Sequence, residues 1–568
     1  MRTWMLGLPL YALLTGCSTT TQDNPLFSDI TPQSGINFIN ELKYTPELNP
    51  YTYRNFYNGA GVAIGDINND GLLDVYFTGN QVEDKLYLNE GKLKFQDITV
   101  RSGVGSTGSW STGVTMVDIN FDGLLDIYVC KSGPPDTPNR HNELFINNGD
   151  LTFTEKSEEF GLDIIGLSVQ AAFFDFDRDG DLDCYLLTNS FKSVGNYDFI
   201  ENRRAIPDPE NGGNKFFINN SGKYEDYTEQ AGIYRSDIGF GLGITLGDFN
   251  DDSWTDIFIS NDFFERDYLY INNQKGAFVE SLPEYFESIS AGSMGADFAD
   301  LDGDGLNELF VTEMLPDSLE RRKSKIHFDS WDKHMEGVNS GYHFQFTRNT
   351  LQKKTTDGNY KEVGRMAGLA ASEWSWGALL FDADNDGLRD VVIANGIYRD
   401  LLDRDYLSYS SDNEAMKEIL KDRENGILRL IDLMPSSSFT NYAFRNEGKL
   451  NFRNVSNQWG FNKPMYSSGA AYGDLDNDGD LDLILSNINS PAILYRNNSD
   501  TAAFKSVRFS FLSQTANVNM VGTSVYASAH GKLISGDNFT ARGYQSSNQP
   551  WLTLGLGKLN KIDSAIIV

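Results

Sequence analysis

The stretch "DLDNDGDLDLILSN" (474–487) decides the fold, because an acidic or amide side chain stands at every second position before a glycine and an apolar run. Seven nine-residue segments share this pattern, and we number them loops 1 to 7 in chain order: "DINNDGLLD" (66–74), "DINFDGLLD" (118–126), "DFDRDGDLD" (175–183), "DFNDDSWTD" (248–256), "DLDGDGLNE" (300–308), "DADNDGLRD" (382–390) and "DLDNDGDLD" (474–482). Each loop leads into a short unbroken apolar run, which is typical of a strand buried on both faces.

Two further segments recur with the loops. One is a strand that ends in asparagine: "LYLN" (86–89), "LFIN" (144–147), "FFIN" (216–219), "LYIN" (269–272), "FTRN" (346–349), "AFRN" (443–446) and "LYRN" (494–497). The other is an edge-like segment, first seen as "FSDIT" (27–31). Four short strands per repeat, at intervals of 52 to 92 residues, predict an all-β fold, a seven-bladed β-propeller. Because the series begins with an edge-like segment and ends with an asparagine strand, we expect one blade to combine strands from both ends of the chain and close the ring.

The alternating oxygens of the loops indicate calcium. Side chains at the first, third and fifth positions point inward when the backbone coils around an ion, and the glycine at the sixth position permits the turn. The seventh position offers a carbonyl and the ninth closes the shell. Hard oxygen ligands without His or Cys favour Ca²⁺. An EF-hand is excluded because the twelfth position is Phe77 or Val129 where that motif needs a glutamate.

The sequence thus predicts up to seven Ca²⁺ ions, with a structural rather than a catalytic role. The predicted ligands are Asp66, Asn68, Asp70 and Asp74 in loop 1; Asp118, Asn120, Asp122 and Asp126 in loop 2; Asp175, Asp177, Asp179 and Asp183 in loop 3; Asp248, Asn250, Asp252 and Asp256 in loop 4; Asp300, Asp302, Asp304 and Glu308 in loop 5; Asp382, Asp384, Asp386 and Asp390 in loop 6; and Asp474, Asp476, Asp478 and Asp482 in loop 7. These positions carry 25 carboxylates, which would repel one another without cations; the alternative is that the loops are only solvated turns. Loop 4, with Ser253 in place of glycine, and loop 5, with Glu308, depart most from the pattern.

The charge balance limits the partners. The 568 residues carry a formal net charge of −33, which excludes a nucleic-acid footprint and disfavours direct binding to anionic lipid headgroups. The N-terminal "MRTWMLGLPLYALLTGC" (1–17) has a basic start and a short apolar run, as in a signal peptide. Its "LLTGC" resembles the lipobox of bacterial lipoproteins, which implies lipidation of Cys17; an ordinary signal peptide cut nearby is the alternative. We therefore expect a polar tether over 18–26, a membrane contact through the N-terminal lipid only, and a place at the bacterial outer membrane or cell surface.

Two other cysteines lie in the repeats. Cys130 stands four residues and Cys184 one residue after the ninth loop position. Because this odd difference puts them on opposite faces of equivalent strands, we predict buried free thiols and no disulfide.

The loops and their flanking "GxxxGD" and "LYxNxG" elements resemble FG-GAP/VCBS repeats, as in integrin α-subunit propellers, over residues 27–504. Residues 505–568 resemble the ASPIC/UnbV domain that follows such repeats in the cartilage-acidic-protein-like family. The resemblance implies a calcium-binding propeller followed by a small β domain. The sequence departs from that domain in two places: "LTLGLG" replaces the usual His-Phe-Gly-Leu-Gly, and the chain stops at "AIIV", where the domain normally continues into a Trp-Pro segment. From the second departure we expect the domain to be incomplete here.

Long insertions and aromatic residues gather on the propeller face opposite the loops. The insertions at 131–143, 190–215, 314–344 and 397–441 all link a second to a third strand, and the last has a helical pattern. Trp110, Phe240, Trp374 and Tyr466 precede the first loop position by eight residues, on this same face. Aromatic platforms suit sugar rings or protein partners. The alternative is that these aromatics fill the mouth of the channel.

Three functions follow from these features. The first is a calcium-binding, surface-anchored, non-enzymatic binding or adhesion module for a glycan or a surface protein. The second is a polysaccharide lyase or hydrolase on a propeller scaffold, against which the lack of a nucleophile, phosphate or zinc motif argues. The third is an accessory subunit of an outer-membrane uptake complex.

Overall fold

The computed structural model describes residues 25–106, 108–134, 139–191, 203–208, 212–325, 330–422, 425–436, 438–511 and 520–568. Cys17 lies outside these residues, so lipidation stays a prediction. The prediction of an all-β propeller is confirmed, because the described residues contain a series of antiparallel four-stranded sheets, each built around one of the loops. Within the described residues, no helix has the length and apolar character needed to cross a membrane.

Six four-stranded sheets surround loops 2 to 7 in the described residues, and the four antiparallel strands around loop 1 lie in a six-stranded sheet; we number these seven sets blades 1 to 7 after their loops. Their strands are Val62–Gly65, Asp74–Phe77, Lys85–Asn89 and Phe95–Asp97 in blade 1; Trp110–Val117, Asp126–Ser132, Glu143–Asn147 and Phe153–Glu155 in blade 2; Leu167–Phe174, Asp183–Asn189, Lys215–Asn219 and Tyr224–Asp226 in blade 3; Gly241–Gly247, Asp256–Asn261, Tyr268–Asn272 and Phe278–Glu280 in blade 4; Ala296–Ala299, Glu308–Val311, Thr350–Lys354 and Tyr360–Glu362 in blade 5; Ser375–Phe381, Asp390–Asn395, Tyr442–Asn446 and Phe452–Asn454 in blade 6; and Ser467–Gly473, Asp482–Asn487, Ile493–Asn497 and Phe27–Asp29 in blade 7.

Blade 7 joins the two ends of the propeller sequence. Phe27–Asp29 pairs antiparallel with Ile493–Asn497, with Phe27 opposite Asn497. Phe27–Asp29 is thus the fourth, outer strand of blade 7, and it leaves no open edge on the third strand of that blade.

The core lies between neighbouring blades. Each unbroken apolar strand buries one face against the preceding blade and the other against the next, which is why the loops lead into runs without polar alternation. Phe249 and Phe298, from blades 4 and 5, stack with their ring centroids 4.2 Å apart. Similar apolar clusters fill the other spaces between blades.

Cys130 and Cys184 are buried and free, as predicted. The reasoning that separated them is wrong, however, because both belong to one apolar cluster between blades 2 and 3. Opposite strand faces of adjacent blades point into the same layer of the core. Burial raises the pKa of the Cys130 thiol far above its ordinary value, so it stays protonated.

Blade 5 departs from the predicted register. "FTRN" (346–349) was assigned to the third strand, but that strand is Thr350–Lys354 and Lys354 stands where the other blades have asparagine. Asn349 instead precedes the strand, and its Oδ1 accepts a hydrogen bond from the Glu313 backbone N–H at 2.8 Å. A sequence match to the asparagine pattern thus concealed a shift of five residues.

The helices lie at blade edges and in the insertions. They are Thr31–Ser34, Thr99–Ser102, Ser157–Phe160, Leu282–Tyr285, Leu319–Lys325, Trp331–Gly337, Gly364–Ala367, Arg404–Ser410, Asn413–Leu420, Gly426–Asp432 and Ser456–Trp459, with 3-10 turns at Arg54–Tyr57 and Arg203–Ala205 and a π-helical turn at Val338–Tyr342. The helical pattern predicted within 397–441 is confirmed. Two short strands, Ile289–Ser290 and Gln345–Phe346, pair in parallel beside the insertions.

The C-terminal residues form a second β unit. Lys505–Phe509 pairs with Leu552–Gly557, and Ser524–Ala529 pairs with both Lys532–Asp537 and Ser564–Ile567. A small hairpin of Ala541–Arg542 and Ser546–Ser547, which we call the axial hairpin, leaves this unit and pairs with blade 1 through Ala63.

The axial hairpin occupies the propeller axis. The Val114 backbone N–H of blade 2 donates to the Gln545 carbonyl at 3.2 Å, and the Gln170 side chain of blade 3 donates to the Ser546 carbonyl at 3.1 Å. A Cβ atom on Gly61 of blade 1 would lie 1.8 Å from the Gln545 carbonyl oxygen, so only glycine permits this approach. The inner strands therefore surround a segment of the chain and not an open channel.

Tyr544 at the tip of the axial hairpin provides a test. Its ring packs against Trp376 with centroids 4.9 Å apart, its hydroxyl donates to the Asn58 carbonyl at 2.9 Å, and it is fully buried. Replacing a buried aromatic side chain by alanine leaves a cavity, so Tyr544→Ala should lower the free energy of unfolding by about 3 kcal/mol. Chemical denaturation would measure this loss. Val100→Ala, at an exposed position, should change the free energy by less than about 0.5 kcal/mol, and equal effects would contradict the axial packing.

Candidate metal-binding loops

The loops share one backbone conformation. The residue at the fourth position has a left-handed φ in every loop: Asn69, Phe121, Arg178, Asp251, Gly303, Asn385 and Asn477. Asparagine and glycine tolerate this region best, which explains their frequency there. The sixth position is left-handed as well, including Ser253 of loop 4 at φ 68°, so that loop keeps the shape without its glycine.

The first-position carboxylate is held by the loop itself. In loop 1, Asp66 accepts hydrogen bonds from the backbone N–H groups of Asp70 and Gly71, at 3.1 and 2.8 Å. Loops 2, 4 and 6 repeat these two bonds. The backbone thereby fixes the direction of the first predicted ligand before any ion binds.

The ninth-position carboxylate ties the loop to the third strand. Asp74 accepts one bond from the Ile67 N–H at 3.0 Å and another from the Asn89 N–H at 2.8 Å. The same pair of bonds occurs in loops 2, 3, 4, 6 and 7. Each carboxylate oxygen has a second lone pair, so these bonds leave room for coordination.

Burial of these acids is electrostatically unfavourable without a cation. Desolvation, with a smaller contribution from neighbouring carboxylates, raises the pKa of Asp74 and of Asp183 to about 8. The same cause raises the pKa values of Asp256, Asp390 and Asp482 well above the ordinary range. A divalent ion among these groups would offset the repulsion.

Four loops bring at least three carboxylates together. Ligand oxygens lie within 4.8 Å of one another in the groups Asp175, Asp177 and Asp183; Asp300, Asp302 and Asp304; Asp382, Asp384 and Asp390; and Asp474, Asp476 and Asp478. In each group one oxygen is buried and accepts no hydrogen bond: Asp175 Oδ1, Asp302 Oδ1, Asp384 Oδ1 and Asp476 Oδ1. Buried acceptors without donors, grouped at this spacing, fit a hard cation such as Ca²⁺.

Loops 1, 2 and 4 carry asparagine at the third position. The Asn68 amide donates to Asp70 Oδ2 at 3.0 Å while its oxygen accepts from the Asp70 N–H at 3.2 Å. Equivalent amide bonds hold Asn120 and Asn250. The four predicted ligands of each of these loops therefore carry one negative charge fewer than those of the other four loops.

The asparagine at the end of the third strand also joins neighbouring blades. Its side-chain amide donates to the second-position carbonyl of the preceding loop around the ring in blades 1, 2, 4, 6 and 7, at distances of 2.7 to 3.0 Å. The sequence pattern indicated an asparagine here but not this reach across the blades. The bond links each loop to the blade beside it.

The fourth-position side chains link the loops directly. Asn385 donates to the Gly479 carbonyl at 3.1 Å, Asn477 to the Gly71 carbonyl at 2.8 Å, and Asn69 to the Gly123 carbonyl at 2.9 Å. Loops 6, 7, 1 and 2 thus form a continuous hydrogen-bonded series. The apolar side chain of Phe121 cannot extend it to loop 3.

The C-terminal β unit covers loops 5, 6 and 7. Ser535 donates to Asp300 Oδ2 at 3.2 Å in loop 5, and the Gly557 N–H donates to the Asn385 carbonyl at 3.0 Å in loop 6. Arg508 forms an ion pair with Asp474 of loop 7 at 3.1 Å. Sequence reasoning did not place this unit on the loop face, since its contacts follow no periodic pattern.

The four aromatic candidates lie around the opposite mouth of the axis. Trp110 and Phe240 are buried, under residues of the turn Arg54–Tyr57: Phe56 packs on Trp110 with centroids 5.5 Å apart, and the Arg54 guanidinium lies 5.6 Å from the Phe240 ring. This arrangement is the filled mouth of the alternative interpretation.

Trp374 and Tyr466 are half-buried. The Tyr466 ring contacts Tyr398 with centroids 5.2 Å apart, and its hydroxyl lies 2.8 Å from Ser436 Oγ. These two side chains thus keep some exposed surface beside the third and fourth insertions.

Asn147 provides a test of the bonds between blades. Its amide donates to the Ile67 carbonyl of blade 1 at 2.8 Å and to the Leu125 carbonyl at 3.1 Å, both in buried surroundings. Asn147→Ala would leave two carbonyls without donors, and we expect the free energy of unfolding to fall by about 2 kcal/mol. The exposed neighbour Asn148 is the matched control, and Asn148→Ala should cost less than about 0.5 kcal/mol. Similar losses in urea denaturation of the two variants would refute a special role for Asn147.

Comparisons with known proteins agree with this architecture. The FG-GAP-like repeat profile matches residues 66–129 and 248–311, and the ASPIC and UnbV profile matches residues 513–568. Cartilage acidic protein 1 of Xenopus tropicalis is 29% identical over 181 residues, which cover 31% of this chain and 26% of that protein. The Homo sapiens protein of that name is 26% identical over 33% of this chain and 27% of its own length, so the match spans about a quarter of these relatives.

The chain is also similar to an integrin subunit and to a solved structure. Integrin alpha-8 of Gallus gallus is 33% identical over 107 residues, which cover 16% of this chain and 10% of that protein. The solved structure "YCF48 bound to D1 peptide" has a TM-score of 0.39 at 8% identity, over 84% of this chain and 96% of that chain. The chain is thus a β-propeller with segments that match the FG-GAP-like repeat profile and the ASPIC and UnbV profile, and 31% of it is similar to cartilage acidic protein 1.

Proposed function

We propose that this protein is a calcium-stabilised binding module that performs no catalysis. Ca²⁺ ions in the loops would hold the propeller, and a glycan or protein partner would bind on the face that carries the insertions. The single observation that carries the proposal is the set of buried loop carboxylates whose inner oxygens accept no hydrogen bond, which a divalent cation would satisfy. Export and attachment through Cys17 belong to the same proposal and lie outside the described residues.

The calcium role follows from charge and position. The loops precede the second strand of each blade, and their ninth-position acids are buried at 0 or 1% exposure. An ion there would brace the loop against the third strand, which is a structural task.

Metal content and thermal stability test the calcium role. We expect the purified protein, dialysed against buffer with Ca²⁺, to retain several ions by mass spectrometry, and its melting temperature to fall on addition of EDTA. A single site at a hundredfold excess of calcium over its Kd adds about 2.7 kcal/mol of stability. Asp183→Asn should lose one ion, whereas Asp163→Asn, outside the loops, should lose none. Calcium-free folded protein that is indifferent to EDTA would refute the proposal.

The partner surface is proposed from where apolar side chains are exposed. On the face opposite the loops, the third and fourth insertions and the segment before the turn Arg54–Tyr57 expose large apolar side chains: Trp331 at 68%, Leu319 at 66%, Leu433 at 51%, Tyr51 at 47% and Tyr409 at 41%. Large exposed apolar side chains grouped on one side mark an interaction surface more often than scattered ones. This surface does not include the four aromatic candidates around the axis, of which Trp110 and Phe240 are buried.

Ion pairs hold two of these insertions together. Lys325 of the third insertion lies 2.8 Å from Asp400 of the fourth, and Arg321 lies 3.8 Å from the same carboxylate. Asp400 is only 2% exposed, so the pair with Lys325 is shielded from solvent on one side. A surface on joined insertions presents its side chains in fixed positions, which lowers the entropic cost of binding.

Glycan arrays and pull-downs from membrane extracts would test the surface. Trp331→Ala should weaken binding of the captured glycan or protein at least about tenfold, the usual effect of losing a central aromatic contact. Met366→Ala, which removes a side chain that is 78% exposed elsewhere, is the control and should leave binding unchanged. Release of reducing or unsaturated sugar ends would instead support a lyase or hydrolase. Equal binding by both variants would show that the partner lies elsewhere.

A further inference from the structure

Loop 5 differs from the other loops in pairing one lysine with three of its predicted ligands, including the ninth-position acid. The Lys353 ammonium forms ion pairs with Asp302, with Asp304 at 3.4 Å and with Glu308 at 3.6 Å. These carboxylates are the predicted ligands at the third, fifth and ninth positions. One lysine therefore contacts three of the four side chains that would surround a metal ion.

Comparison with the equivalent position in the other blades shows that only the ion pair with the ninth-position acid is particular to loop 5 among the described contacts. Strand register places Leu88, Ile146, Ile218 and Ile271 there in blades 1 to 4, none of which bears a charge. Blade 6 has Arg445, which pairs with Asp384 at 2.7 Å and Asp386 at 2.8 Å, and blade 7 has Arg496, which is exposed and forms no ion pair among the described contacts. Arg445 forms no ion pair with the ninth-position Asp390 among the described contacts, so it contacts two of the four predicted ligands where Lys353 contacts three.

The ninth-position acid of loop 5 also lacks its usual anchor. In the other six loops this carboxylate accepts an N–H from the asparagine that ends the third strand, but in blade 5 Lys354 stands there. Lys354 instead pairs with Asp251 of loop 4 at 2.6 Å. Glu308 Oε1 is buried, accepts no hydrogen bond, and has the Lys353 ammonium as its nearby positive charge.

We propose that Lys353 is the resident counter-ion of loop 5, and that this loop consequently binds calcium more weakly than loops 1 to 4, whose predicted ligands form no ion pair among the described contacts. The proposal rests on the calcium function proposed above. A Ca²⁺ ion among Asp302, Asp304 and Glu308 would lie close to the ammonium. At about 5 Å in water-like surroundings, the repulsion between charges of +2 and +1 corresponds to about a tenfold loss of affinity, and it grows as the dielectric constant falls. The ion would therefore have to displace the lysine, whose side chain is 26% exposed.

Substitution of Lys353 makes the inference testable. Lys353→Ile introduces the side chain that blades 2 to 4 carry at this position. We expect the variant to bind one more Ca²⁺ than the unaltered protein at the same calcium concentration, with that site at least about tenfold tighter. Calorimetric titration and metal mass spectrometry would count the ions. The calcium-free variant should also melt at a lower temperature, because three carboxylates lose their counter-charge.

Three further variants assign the effect. Lys361→Met removes the same charge from a half-exposed ion pair with Glu287 in the same blade and should gain no ion. Lys353→Arg should keep the count of the unaltered protein. Asp302→Asn added to Lys353→Ile should abolish the gained site. If Lys353→Ile folds poorly, Lys353→Gln removes the charge with a polar side chain and carries the same expectation.

The outcomes separate this inference from the function on which it rests. If the unaltered protein binds calcium and Lys353→Ile gains none, the role of Lys353 is refuted while the calcium function stands. The same follows if the unaltered protein already fills all seven loops with equal affinity. If the unaltered protein binds no calcium but Lys353→Ile binds one ion, the calcium function fails and the counter-ion role is supported.

Discussion

The buried carboxylate at the ninth loop position is the constraint on which the rest of the molecule depends. In six blades it accepts one N–H from the loop and one from the third strand, so a single side chain fixes the turn, the strand order and the start of the second strand. The same acid is buried among apolar strands, where its charge is unfavourable without a counter-charge. Blade geometry and the need for a cation are thus two results of one residue.

Much of this architecture could be predicted from sequence because it is local and repeated. The spacing of Asp66, Asp70 and Asp74 and the apolar run after them indicate the turn and the buried strand. Contacts between distant segments could not be predicted in this way. "ARGYQSS" (541–547) has no apolar periodicity, yet it is buried along the axis by three blades. The position of Trp110 on the face opposite the loops was predicted correctly, but no sequence pattern indicated that Phe56 covers its ring.

Loop 5 shows how a repeat can conceal a local change. The motif "DLDGDGLNE" fits the calcium pattern, and "FTRN" fits the asparagine strand, but the true third strand begins after Asn349. The shift brings Lys353 to the loop and Lys354 to the neighbouring blade. Repeated motifs therefore predict the backbone better than they predict which side chains meet inside each copy.

The axial hairpin and the shared blade 7 set the order in which the protein can become complete. The first strand, Phe27–Asp29, can pair only once Ile493–Asn497 has been synthesised. The Val62 N–H donates to the hydroxyl of Ser546, which lies 484 residues later in the chain. Contacts at such separation form slowly and only after most of the chain is available. During synthesis the early blades must therefore persist with unpaired inner edges until the last hundred or so residues emerge, which makes them a natural substrate for chaperones.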